Sequence, residues 1–216
     1  MPQVIPSINC HVGDLECVKK KLGVCKTLGV EWVHLDAADG VFTFHKSWNE
    51  PPRWRELGEG FNLEVHLMVE NPGAQADLWL PEGAKRVVVH AETVPPDVFE
   101  AIAAKARGVG AEVMLSSNPE TSVAKLEPYL PLTSFFQVLA VHPGLAGQKF
   151  LPLVLEKARW LREKSPDATI EIDGGITLET AQRAVASGVD TIVSATHIFS
   201  SSDPKKAYQE LLAIDS

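Results

Sequence analysis

The chain has 216 residues, 45% of them hydrophobic, and a formal charge of -8 at pH 7. That is enough to bury a full core as one domain spanning residues 1–216. The acidic balance argues against a general nucleic-acid or anionic-membrane surface, and no apolar run approaches a membrane span, but backbone amides can bind a small anion without a basic patch.

Strand and helix patterns alternate along the chain. Candidate strands are Gln3–Ile8, Trp32–Asp36, Leu63–Met68, Arg86–His90, Glu112–Leu115, Phe135–Val141, Thr169–Asp173 and Thr191–Ser194. Between them run helical patterns such as Leu15–Leu28, Val98–Arg107, Leu153–Lys164 and Leu178–Ser187. In "TLGVEW", "PEGAKR", "GVGAEV" and "ASGVDT" a glycine precedes the next strand, as expected at an αβ junction. Alternation of this kind implies a parallel sheet. Eight units predict an α/β fold of the (β/α)8 TIM-barrel type, somewhat smaller than the usual size of about 250 residues. An open, doubly wound sheet is the alternative.

The N-terminus, MPQVIPSINC, lacks the basic region and long apolar run of a secretory signal. The three cysteines, Cys10, Cys17 and Cys25, are odd in number and contain no C-x-x-C pair. They are expected to be reduced thiols in a cytoplasmic protein.

The strand Trp32–Asp36 carries polar residues where a dry core would be expected. In "EWVHLDAADG", His34 and Asp36 are two apart and so project from one face of the strand. Burying either without a partner is costly. His66 lies near the end of strand three, His90 ends strand four, His142 follows strand six and Asp173 ends strand seven. Barrel active sites lie at this carboxyl end of the strands. One strand-end histidine is ordinarily structural, and one aspartate can cap a helix. Two histidines and two carboxylates converging from three strands instead form a divalent-metal set: His34, Asp36, His66 and Asp173.

Three loops of small residues flank this set: His142-Pro143-Gly144-Leu145-Ala146-Gly147-Gln148, Asp173-Gly174-Gly175-Ile176 and Ser194-Ala195-Thr196-His197. Each alone is a tight turn. Together, beside a metal set, they predict an anion site, because barrels often bind phosphate after strands seven and eight.

The motifs "HLDAADGVF", "VHLMVENP", "HPGLAGQKF", "IEIDGGI" and "VSATHIF" occur in the order found in ribulose-phosphate 3-epimerases, and the chain resembles that family from about Pro6 to about Phe199. The resemblance implies a (β/α)8 barrel with one divalent metal held by His34, Asp36, His66 and Asp173. It implies that Asp36 and Asp173 are the acid–base pair. Substrate contacts carried over by it are Ser7, His66, Met68, Gly144, Leu145, Ala146, Gly147, Gly174, Gly175, Ala195 and Thr196. It also implies a homo-oligomer. Thr43, Phe44 and His45 stand where the family has V-P-N, and Ala195-Thr196 where it has Gly-Ser.

The chemistry of these residues suits inversion beside a ketone. A metal would stabilise an ene-diolate while one carboxylate takes a proton from one face and the other returns one to the opposite face. The expected partner is a small-molecule ketose phosphate, with ribulose 5-phosphate and xylulose 5-phosphate foremost. A longer ketose phosphate such as allulose 6-phosphate, or a non-catalytic barrel binding metal or sugar phosphate, is the alternative. Mixed nitrogen and oxygen donors suit zinc, iron, manganese or cobalt. No dinucleotide fingerprint is present, and the chemistry requires no redox cofactor.

Overall fold

In the computed structural model, residues 1–144 and 147–215 are described. The strands are β1 (Gln3–Pro6), β2 (Trp32–Ala38), β3 (Asn62–Met68), β4 (Ala84–His90), β5 (Glu112–Ser117), β6 (Phe135–Leu139), β7 (Thr169–Asp173) and β8 (Thr191–Ser194). The helices are α1 (Leu15–Leu28), α2 (Pro51–Leu57), α3 (Pro72–Trp79), α4 (Pro96–Gly108), α5 (Val154–Lys164), α6 (Leu178–Val185), α7 (Thr196–Phe199) and α8 (Pro204–Leu212). All strand pairs are parallel, in the order β1-β8-β7-β6-β5-β4-β3-β2. The seam between β1 and β2 is drawn together just past β1, where Ser7 bridges to His34 and the Ile8 amide donates to the His34 carbonyl at 2.8 Å. This is the expected (β/α)8 barrel.

Local chemistry fixes many boundaries. Asp14 caps α1 by accepting from the Cys17 amide, and Gly29 ends that helix in the left-handed conformation. Thr177 and Thr180 form a reciprocal capping box at the start of α6. Between β5 and β6 two 3-10 turns, Val123–Lys125 and Glu127–Tyr129, stand in place of an α-helix. Pro119, Pro128 and Pro131 in this connection explain why: each removes an amide donor and restricts the residue before it.

The alternation of each strand divides the protein into two interiors. One parity, including Val33, Leu35, Val65, Leu67, Val87, Val89, Leu115, Val138, Ile170 and Ile172, joins the large apolar cluster packed beneath the helices. The other parity faces the lumen. There β2, β3, β4, β6 and β7 contribute His34, Glu64, Arg86, Gln137 and Glu171, all buried. Burial of these groups costs several kcal/mol unless they are paired. They therefore form a network, which is the platform of the site above. Among the described residues, no helix is long and apolar enough to cross a membrane.

The cysteines depart from expectation. Cys10 and Cys17 form a disulfide, and only Cys25 is free, buried against the barrel. The turn from β1 into α1 reverses the chain and brings the two α-carbons to 6.0 Å, within bridging range. Odd number and spacing do not register that reversal.

Candidate active site

Parallel pairing of β2 with β3 places His34 opposite Glu64 and Asp36 opposite His66. Asp173 ends β7 across the barrel mouth. Asp36 Oδ1 lies 3.1 Å from His34 Nε2 and 3.0 Å from His66 Nδ1. Asp173 Oδ2 approaches the same two nitrogens at 3.8 and 3.7 Å. One ligand atom from each of the four residues lies within 4.8 Å of the others. The structure thus brings together the complete set expected to bind a metal.

The electrostatics follow from this crowding. Burial pushes the Asp36 carboxyl upward, but hydrogen bonds from His34 and His66 outweigh it and hold the group well below the usual carboxylate range. Burial lowers His34 and His66, and the surrounding carboxylates more than reverse that, so both are raised.

Beneath the mouth, the lumen network holds His34. Its Nδ1 lies 2.6 Å from Glu64 Oε1, and Arg86 Nη1 donates to Glu64 Oε2 at 2.8 Å. Burial raises Glu64, yet His34 and Arg86 bring it down to about 2. Arg86 Nη1 is also 4.0 Å from Glu171 Oε2. Glu171 Oε1 accepts from Gln137 Nε2 at 2.9 Å, and Gln137 in turn accepts from the Ser116 hydroxyl. Burial and the nearby Glu64 charge push Glu171 well above the usual range. Glu64, Arg86 and Gln137 belong to none of the quoted family motifs, and Glu171 lies inside "IEIDGGI" without being singled out there. The signal is their parity, shared with His34 and Asp36, which in a barrel means the lumen.

His90 is not in the four-residue set. It lies behind His66, with Nε2 2.7 Å from His66 Nε2 and Nδ1 3.1 Å from Glu92 Oε2. Burial is the main cause that takes His90 down to about 4. His142 is exposed and pairs with Glu120 at 3.2 Å.

A cavity of about 500 Å³ opens above Asp36 and Asp173. Met68, Gly144, Gly147, Gly174, Gly175, Ala195 and Thr196, all expected to contact substrate, line it. Leu145 and Ala146 lie outside the described residues. Ser7 is buried, and its hydroxyl donates to Asn9 Oδ1 at 2.7 Å; Asn9 is the residue that reaches the cavity. Asn9 was not expected there, since no motif marks it. Asp39, the aspartate of the turn after β2, accepts from the amides of Val41, Phe42 and Glu70.

Two glycines on the cavity wall are demanded sterically. A Cβ at Gly174 (φ 102°) would lie 2.5 Å from Val141 Cγ2, and one at Gly175 (φ 66°) 2.5 Å from the Phe150 backbone nitrogen. The β2–α2 and β6–α5 loops are fastened together near the mouth, where the Thr43 hydroxyl donates to the Pro143 carbonyl at 3.0 Å.

Comparison with known proteins agrees with this architecture. A model of the ribulose-phosphate 3 epimerase family matches residues 3–199. The ribulose-phosphate 3-epimerase of Mycobacterium bovis is 35% identical over 192 residues, covering 85% of this chain and 81% of that protein. That of Schizosaccharomyces pombe is 30% identical over 213 residues, covering 97% and 92%. Among solved structures, the KGPDC protein of Streptococcus mutans superposes with a TM-score of 0.74 at 14% identity, covering 100% of this chain and 99% of that one. The last likeness concerns the fold.

Proposed function

Because this chain belongs to the ribulose-phosphate 3-epimerase family, and is an isomerase-class epimerase acting on carbohydrates, we propose that it interconverts D-ribulose 5-phosphate and D-xylulose 5-phosphate. The observation that carries this reading is the convergence of Asp36 and Asp173 on one pair of histidines at the floor of the cavity. Two carboxyl groups from opposite sides of a barrel can serve opposite faces of a substrate lying between them. A single base would tend to return the proton to the face it came from.

The donor set fits a divalent ion. Two imidazole nitrogens and two carboxylate oxygens clustered within 4.8 Å match the preferences of zinc, iron, manganese and cobalt. His34, Asp36, His66 and Asp173 would hold it. When bound there, such an ion supplies Lewis-acid stabilisation of the negative charge that develops on the substrate ketone.

The remaining work belongs to the chain. One of Asp36 and Asp173 takes the C3 proton, and the other, protonated, delivers a proton to the opposite face. The two must therefore hold opposite protonation states in each turnover. Met68, Leu139 and Val193 give the cavity an apolar stretch of wall beside Asp36 and Asp173. Gly174 and Gly175 leave backbone amides free to approach a phosphate, and Thr196 offers a hydroxyl.

The test is a panel of pentulose and hexulose phosphates, assayed with metal content determined on the same sample. Epimerisation of ribulose 5-phosphate by metal-replete protein is expected. Turnover of a hexulose phosphate alone would move the substrate to a longer sugar. Inertness toward the whole panel would sink the reading.

A further inference from the structure

His66 turns Nδ1 toward Asp36 and Asp173, so Nδ1 is its ligating atom in the reading above. A neutral imidazole that ligates through Nδ1 carries its hydrogen on Nε2. That Nε2 lies 2.7 Å from His90 Nε2. The ring planes differ by 13° and the centroids are 4.9 Å apart. With the two nitrogens in contact, most of that separation lies along the N···N line. The rings therefore meet edge to edge, in the linear arrangement a hydrogen bond prefers. Two nitrogens at this distance require one donor and one acceptor. His66 is the donor, so His90 Nε2 accepts and the His90 hydrogen sits on Nδ1, facing Glu92 Oε2 at 3.1 Å.

Glu92 is itself anchored. Its Oε1 accepts from the Asn118 amide at 3.1 Å and from the Thr121 hydroxyl. Phe42 packs against His90 with ring centroids 4.6 Å apart. His90 is therefore fixed by a neighbouring ring and a hydrogen bond at each nitrogen. Nothing in the proton transfers assigned to Asp36 and Asp173 uses His90 or Glu92.

We propose that His90 and Glu92 are positioning residues for the metal centre: together they fix the tautomer and ring orientation of His66 so that its Nδ1 lone pair points at the ion. This rests on the metal reading of the preceding subsection. The two ligating histidines are thus held by different routes. Glu64 holds His34 directly, whereas a second imidazole stands between His66 and its carboxylate. Outer partners of this kind commonly change metal affinity about 10–100-fold when removed.

Glu92→Gln tests the logic with little change of shape. The Asn118 amide still needs an acceptor, so the new amide oxygen stays on that side and its NH2 faces His90 Nδ1. His90 must then accept at Nδ1 and carry its hydrogen on Nε2, opposing the His66 N–H. Cobalt(II) is the probe. The expected result is a loss of cobalt affinity of about 10–100-fold with an altered visible spectrum. Nitrogen-15 NMR should show the His90 hydrogen on Nδ1 in wild type and on Nε2 in the variant. Unchanged cobalt affinity in E92Q, or a wild-type His90 protonated on Nε2 alone, would overturn the proposal. If E92Q does not fold, the wild-type tautomer decides. Failure of the wild type to bind cobalt would instead count against the metal reading, while the His90 tautomer would still report on the hydrogen bonds that join Glu92, His90 and His66.

Discussion

Asp36 Oδ1 lies 3.0 Å from His66 Nδ1, and the same oxygen is 3.1 Å from His34 Nε2. Asp36 therefore stands between the two imidazoles, with Asp173 across from it at the mouth of the barrel. A carboxylate in that position links the two histidines and at the same time lines the cavity.

Asp36→Asn and Asp173→Asn should each lower turnover by about two to four orders of magnitude, the usual cost of losing a general acid or base. Each change also weakens a metal ligand, so occupancy is to be measured in every variant. A variant at full metal occupancy that keeps near-normal turnover would clear that aspartate of its role.

Phosphate is expected to be a recognition element. Ala195 adds a methyl group where the family has glycine, while Thr196 keeps a hydroxyl, and both line the cavity beside Gly174 and Gly175. Sulfate should compete with substrate, and an unphosphorylated ketose should be much the poorer substrate. The double change Ala195→Gly with Thr196→Ser should tighten phosphate binding or leave it as it is. Equal handling of a ketose and its phosphate ester, without competition by sulfate, would point to a free-sugar epimerase.

The Cys10–Cys17 bridge closes a short loop, with a sequence separation of 7. On a chain-entropy basis a loop of this size stabilises by on the order of 2–3 kcal/mol. Reduction, or Cys17→Ser, should lower the denaturant midpoint accordingly. Both cysteines border the cleft beside Asp36 and Met68, and Asn9 precedes Cys10, so KM should rise as well. A midpoint and KM unmoved by reductant would show that the bridge does not form in solution.

Lys157 is buried beneath the loop that carries Asn118, donating to the Asn118 carbonyl at 2.6 Å and the Ser117 hydroxyl at 3.1 Å. Burial takes its ammonium from 10.5 down to about 8. Between those values the unfolded chain holds more protons than the folded one, so stability rises with pH. The cost of burying the charge is fully present below about pH 8 and relieved by pH 10.5. Wild type should therefore gain stability relative to Lys157→Met across that window. A difference that stays flat with pH would contradict the shift.

Much of the fold was legible because βα units declare themselves locally. The apolar alternation of β2 and β3, the helix-ending glycines and the capping residues all act over a few neighbours. The four metal-binding candidates were legible for the same reason: His34 and Asp36 share a strand face, and strand ends gather at one rim. The network of Glu64, Arg86, Gln137 and Glu171 was not, because which polar residues meet depends on barrel register, a long-range quantity. His90 was legible as a strand-end histidine, but its pairing with His66 through the β3–β4 neighbourhood was not. The disulfide depended on a chain reversal after β1, and the missing helix between β5 and β6 on prolines that were there to be read.

The most direct measurement of the central claim is epimerisation of ribulose 5-phosphate in D2O, with the product analysed by NMR. If Asp36 and Asp173 work from opposite faces, the proton removed and the proton delivered belong to different carboxyl groups. The delivering carboxyl equilibrates with solvent between turnovers, so xylulose 5-phosphate formed in a single pass should carry deuterium at C3 and nowhere else. Product that retains the original hydrogen at C3, or that takes up deuterium at C1, would contradict the two-aspartate account.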